Sequence, residues 1–122
     1  MSVNTVQKMI AWIEDNIQDN PTLTEMSRFV GYSEYYCSSK FREYTGVTFK
    51  EYVLKRKLAL ASCELLETNF RVIDIAMNYG FSSNESFTRA FVREYGCSPS
   101  RFRALKPNVK YYERKQTIID PN

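Results

Sequence analysis

An all-α fold of seven helices, arranged as two helix-turn-helix subdomains joined by a long linker helix, is what this sequence of 122 residues predicts. Three observations carry that expectation. Residues 23–52 and 72–103 repeat one pattern about 49 to 50 positions apart. Apolar side chains recur at helical spacing through nearly every segment. Caps, glycines and prolines punctuate both copies at matching places.

The matched columns define a scaffold. Leu23, Met26, Gly31 and Tyr32 answer to Val72, Ile75, Gly80 and Phe81. After one inserted residue, Ser33, Cys37, Phe41, Gly46, Thr48 and Tyr52 answer to Ser83, Phe87, Phe91, Gly96, Ser98 and Phe102. These are apolar residues, turn glycines and caps. The columns that differ are polar positions on one helical face, so the two copies suit a device that reads two different things.

In order along the chain, Val6, Met9, Ile10, Ile13 and Ile17 predict a first amphipathic helix over residues 3–19, with Trp12 packing beside the stripe. Asn20-Pro21 ends it. Thr22 and Glu25 form a capping-box pattern that opens a short second helix to Val30, closed by Gly31. Ser33 caps a third helix over residues 34–45, and Gly46 stops it. Thr48 and Glu51 repeat the capping-box pattern and open a long fourth helix to about Glu67. A fifth helix spans about Val72 to Tyr79, and a sixth runs from Ser83 to Tyr95, ended by Gly96. Ser98-Pro99 starts the seventh, with serine as cap and proline at the first helical position. From Lys106 onward periodicity is lost.

The fourth helix carries two apolar stripes, Phe49, Val53, Leu60 and Cys63 on one side and Leu54, Leu58, Ala61 and Leu65 on the other. A helix apolar on both sides is buried on both; the bland reading is a central core helix of one globule, and the repeat favours a shared strut holding two lobes roughly 30 Å apart. The expected organisation is therefore residues 1–47 as the first subdomain, 48–68 as the linker helix, 69–106 as the second subdomain and 107–122 as an irregular tail.

Composition narrows the function. Hydrophobic residues at 43% support a packed core. There is neither an apolar run long enough for a membrane helix nor a signal-peptide pattern, so a cytoplasmic protein is expected. The net charge is +3 and uneven: residues 1–33 carry two basic and four acidic side chains, −2, whereas residues 34–122 carry fifteen and ten, +5. A basic excess beginning with the third helix suits phosphate as a partner. Cys37, Cys63 and Cys97 show no C-x-x-C pairing and the chain has no histidine, which argues against a disulfide framework or a zinc site. Cys37 answers to Phe87 and is expected to be a buried thiol acting as a small hydrophobe. No catalytic constellation, cofactor or metal is expected.

A helix-turn-helix presents the polar face of its second helix to the major groove. With Cys37, Phe41 and Tyr44 marking the core side of the third helix, Tyr35, Ser38, Ser39 and Arg42 fall outward. With Phe87, Phe91 and Tyr95 marking the core side of the sixth, Glu85, Ser86, Arg89 and Arg93 fall outward. Arg89 is able to donate twice to guanine, and Glu85 to accept from a cytosine amino group. Tyr35 or Tyr36 offers a ring to a thymine methyl or a hydroxyl to phosphate. Asn84 and Thr88 add base or phosphate contacts. An ordinary solvated face is the bland reading for one such helix; two on a repeated scaffold favour DNA.

Residues 74–103 contain Asp74-Ile75-Ala76, Gly80-Phe81-Ser82-Ser83, Phe87-Thr88-Arg89-Ala90-Phe91 and Gly96-Cys97-Ser98-Pro99-Ser100-Arg101-Phe102-Arg103. This run resembles the C-terminal signature of AraC/XylS-type transcription regulators. From Trp12 to Arg103, including Trp12-Ile13-Glu14-Asp15-Asn16 and Gly31-Tyr32-Ser33, the chain is similar to the small stand-alone members typified by MarA, SoxS and the N-terminal part of Rob. The resemblance implies two lobes entering adjacent major grooves of double-stranded promoter DNA as a monomer, and an activator that also touches RNA polymerase. It implies base reading by Tyr35, Ser38 and Ser39 and by Asn84, Glu85, Ser86 and Arg89, with Arg101 on phosphate. Tyr36, Lys40, Arg42, Thr88 and Arg93 are the further candidates for phosphate. Ser38 and Ser39 depart from the longer or charged side chains usual at those places, so no relative's operator sequence carries over. The rival readings are a DNA-binding fragment of a larger ligand-sensing regulator, and a helical interaction module that contacts RNA polymerase without reading DNA.

Overall fold

A computed structural model describes residues 3–107. Among them are seven α-helices and no strand: α1 (Val3–Asp15), α2 (Leu23–Val30), α3 (Glu34–Thr45), α4 (Phe49–Glu67), α5 (Val72–Asn78), α6 (Asn84–Tyr95) and α7 (Pro99–Leu105). The expected tail beyond Pro107 lies outside the described residues. The chain divides into two compact units between Leu54 and Lys55, inside the linker helix α4.

In the first unit α1 buries Val6, Met9, Ile10 and Ile13, the stripe its spacing predicts. The helix is shorter than expected. Asn16 turns its amide onto the Trp12 carbonyl at 2.8 Å while its N–H reaches both Trp12 and Ile13 carbonyls, and residues Ile17–Asp19 continue as a 3-10 turn. A short polar side chain that competes for backbone groups ends the α-helix there. Met26 of α2, Cys37, Phe41 and Tyr44 of α3, and Tyr52 and Val53 of α4 complete the core. Phe41 packs edge-on against Phe49 at 6.2 Å and Tyr52 at 5.7 Å. Trp12 is half-buried and packs beside Phe29 at 6.4 Å. Cys37 is buried as expected.

In the second unit the C-terminal part of α4 buries Leu58, Ala61, Ser62 and Leu65, joined by Ile75 and Ala76 of α5, Phe87 and Phe91 of α6, and Phe102 of α7. An aromatic chain runs through it: Phe81–Phe87 at 5.0 Å, Phe87–Phe91 at 5.6 Å and Phe91–Phe102 at 5.2 Å. Of the first apolar stripe of α4 only Val53 is buried, whereas of the second Leu58, Ala61 and Leu65 are, all in the C-terminal part of the helix. Phe49, Leu54, Leu60 and Cys63 are only half-buried, and Tyr52, outside both stripes, is fully buried instead.

Beyond α1, the helix ends follow the expected punctuation with one change of detail. Gly31, Gly46 and Gly96 close α2, α3 and α6 at φ of 83°, 82° and 81°, the left-handed region glycine enters without strain. The Thr22 and Thr48 hydroxyls accept from the N–H of Glu25 and Glu51, each at 3.1 Å. The two carboxylates, however, accept from those hydroxyls, at 2.9 and 3.4 Å, rather than from the threonine N–H. The complete reciprocal box is at α6, where Ser83 and Ser86 each accept the other's N–H, at 3.1 and 3.3 Å.

Candidate nucleic-acid interface

Each unit presents its second short helix, α3 or α6, on the scaffold that the repeat encodes. On α3, Ser33 accepts the Tyr36 N–H at 3.1 Å and starts the helix, while Cys37, Phe41 and Tyr44 anchor the inner side. That leaves Tyr35, Ser38, Ser39 and Arg42 exposed, Tyr35 to 85%. Among the described residues it is the most exposed large hydrophobic side chain.

Tyr36 and Lys40, both half-buried, belong to a ladder that starts at Tyr32, just before α3, and continues along the helix. The Tyr32 ring stacks on Tyr36 at 5.2 Å, the Lys40 ammonium lies 5.8 Å from the Tyr36 ring centre, and Lys40 Nζ donates to Glu43 Oε2 at 2.9 Å. Donating to the Glu43 carboxylate raises the Lys40 pKa, so the ammonium stays charged. Sequence reasoning missed Tyr32 and Glu43: Glu43 stands three residues from Lys40, the spacing of helix neighbours, whereas Tyr32 lies before the helix and stacks on Tyr36 across the Ser33 cap.

On α6, Phe87 and Phe91 face the core while Asn84, Glu85, Arg89 and Arg93 are exposed. Ser86 and Thr88 are half-buried. The Ser86 hydroxyl is engaged at the helix start: it accepts from the Ser83 N–H and donates to the Ser83 carbonyl at 2.9 Å. Of the residues that sequence assigns to reading in this unit, Asn84, Glu85 and Arg89 therefore reach outward freely and Ser86 serves the backbone first. Arg101 sits exposed in the first turn of α7, its N–H accepted by the Ser98 hydroxyl at 3.2 Å.

Among the described residues no helix is long and apolar enough to cross a membrane, and no three histidine, cysteine, aspartate or glutamate side chains gather as a cation would require.

Comparison with known proteins places this geometry. A family model described as a helix-turn-helix domain matches residues 26–105. The chain is 35% identical over 105 residues to the probable transcription factor PqrA of Proteus vulgaris, covering 84% of this chain and 86% of that protein. It is 37% identical over 98 residues to the regulatory protein SoxS of Salmonella typhimurium, covering 80% and 92%. Among solved structures, the C-terminal domain of AraT, a response regulator from Geobacillus stearothermophilus, superposes with a TM-score of 0.80 at 24% identity over 92% of this chain and 93% of that one. The DNA-binding domain of AdpA, solved in complex with a target DNA, superposes with a TM-score of 0.78 at 21% identity over 83% and 91%. Those two likenesses concern the fold. With the repeat, the two exposed polar helices and relatives matched over most of their length, the chain belongs to the AraC-type helix-turn-helix family of DNA-binding transcription regulators.

Proposed function

We propose that the protein binds double-stranded promoter DNA as a monomer, with α3 and α6 in adjacent major grooves. The observation that carries this reading is the pairing of buried aromatic anchors with exposed polar faces on two copies of one scaffold. In the second half-site Arg89 donates twice to a guanine, with Asn84 and Glu85 beside it. In the first, Tyr35 lays its ring on a thymine methyl while Ser38 and Ser39 add short contacts. Arg42, Arg93 and Arg101 neutralise phosphates, and Tyr36, Lys40 and Thr88 lie close enough to the reading helices' exposed faces to join them. Ser86 contributes by fixing the start of α6.

We further infer an activator that contacts RNA polymerase. The family resemblance supports it, as does the relative AarP of Providencia stuartii, an HTH-type transcriptional activator 35% identical over 98 residues. Selection from random duplexes tests the DNA reading. The expected outcome is a bipartite consensus whose two halves lie about ten base pairs apart. A pool that never converges rejects it.

A further inference from the structure

Arg103 is part of the basic excess by sequence, yet its guanidinium is used inside the second unit. From α7 it reaches back to the end of α4, where Nε donates to the Leu65 carbonyl at 2.9 Å and Nη2 to the Thr68 carbonyl at 3.3 Å. A helix end leaves such carbonyls without an intrahelical donor. The neighbouring Glu64 carbonyl is satisfied locally, by the Thr68 N–H at 3.0 Å and hydroxyl at 2.7 Å. The arginine fork therefore closes the C-terminus of the linker helix, and its charge opposes the negative end of the helix dipole.

The same α7 seats the recognition helix. Phe102, the residue before Arg103, packs against Phe91 at 5.2 Å and Tyr95 at 5.3 Å, both on α6. Tyr95 in turn donates its hydroxyl to Ser62 of α4 at 3.3 Å. The helix α6 is thus tied to α4 directly through Tyr95, and indirectly through Phe102 and Arg103. In the repeat Phe102 answers to Tyr52, so Arg103 answers to Val53, which is buried and apolar. The fork belongs to the second unit alone.

We propose that Arg103 is a positioning residue for base reading by α6, acting through α7 without touching DNA. It fixes α7 on the end of the linker helix, so that Phe102 holds α6 at one depth and rotation. This rests on the base-reading role given to Arg89 above. A bidentate arginine contact needs both N–H groups aligned within a few tenths of an ångström, whereas phosphate attraction decays over about 8–10 Å. Loosening α7 therefore erodes discrimination at the second half-site and leaves general attraction to the duplex intact.

The test compares wild type, Arg103→Ala and Arg103→Lys on three duplexes: the selected consensus, one with the Arg89 base pair replaced, and one with a first-half-site base pair replaced. Affinities are measured well below the unfolding temperature and across salt concentration. The ratio between duplexes is read, because it cancels the active fraction. Arg103→Ala is expected to lose roughly tenfold of discrimination at the second half-site, much of what one bidentate contact supplies. Its discrimination at the first half-site and its salt slope stay at wild-type values. Arg103→Lys keeps the charge but cannot bridge two carbonyls as a fork does, and falls in between. The lysine variant alone suffices if the alanine variant does not fold. Unchanged second-half-site discrimination in the folded variants, or an equal loss at both half-sites, overturns the proposal. A salt slope flatter by about one overturns it in favour of a phosphate contact. Wild type without preference at the Arg89 base pair removes the base-reading role itself, and the proposal with it.

Discussion

Arg89 and Arg101 are both exposed arginines of the second unit, and their removal is expected to read differently. Arg89→Ala should relax preference at one base pair and cost about 1–3 kcal/mol there; competition binding with single-base variants of the consensus checks it, and a uniform loss would reassign Arg89 to phosphate. Arg101→Ala should weaken binding to every duplex alike and lower the salt slope by about one. Ser27 makes the opposite kind of case. It is almost fully buried in α2 and its hydroxyl has no hydrogen-bond partner. Removing a buried polar atom that bonds nothing forfeits only its packing contacts and recovers its desolvation, so Ser27→Ala should be neutral to about 1 kcal/mol more stable by urea denaturation. The sequence shows only a serine on a short helix; which hydroxyl ends up sealed is decided by the residues packed over it. Ser86 illustrates the same gap. Its position on the outward face was legible, while its engagement with Ser83 depended on side-chain rotamers that spacing does not specify.

At the scale of elements, the helix boundaries were the most legible feature, because caps and stops act through local backbone groups. Gly96 shows how cleanly. It takes φ +81° at the end of α6, and a Cβ placed there would meet nothing within 4 Å. The cost of Gly96→Ala is then backbone strain alone, about 1–2 kcal/mol, and Gly96→Asn should lose less because asparagine tolerates the left-handed region. Equal losses in denaturant melts would point to a side-chain clash instead. The end of α1 was less legible. Apolar spacing through Ile17 extends the helical pattern, and Ile17 is buried, but the Asn16 amide takes the Trp12 carbonyl and tightens the chain into a 3-10 turn. The burial pattern was read correctly and the backbone geometry was not, since both geometries bury Ile17.

For the molecule as a whole, two carboxylates give stability an opposed response to acid. Burial raises the Glu64 pKa, and its Oε2 atom has no hydrogen-bond partner. The native state therefore holds that proton more tightly than the unfolded chain, so ionised Glu64 opposes folding and the penalty fades as pH falls. Asp74 behaves the other way. Hydrogen bonds from Arg71, at 2.9 and 3.2 Å, hold its pKa down, so its contribution is present at neutral pH and lost as pH falls through its folded value. Urea titrations across the carboxylate range should show Glu64→Gln losing the acid-side gain and Asp74→Asn losing the acid-side decline. If both units engage one duplex as proposed, moving one half-site by about five base pairs turns it to the far side of the helix and should abolish the joint affinity. Unchanged affinity would mean that a single unit binds.

The sequence by itself determined the seven helices, the duplicated scaffold and the outward side of α3 and α6, because periodicity, caps and glycines act within a few residues of one another. It also carried the family likeness. Side-chain geometry decided which of those outward and basic side chains are free, through local contacts for Lys40 and Ser86 and through tertiary structure alone for Arg103. Lys40 is held by Glu43 and Tyr36, Ser86 by the start of its own helix, and Arg103 by carbonyls more than thirty residues away. A charge count treats every arginine and lysine alike, whereas a hydrogen bond is made only where packing brings donor and acceptor within about 3 Å.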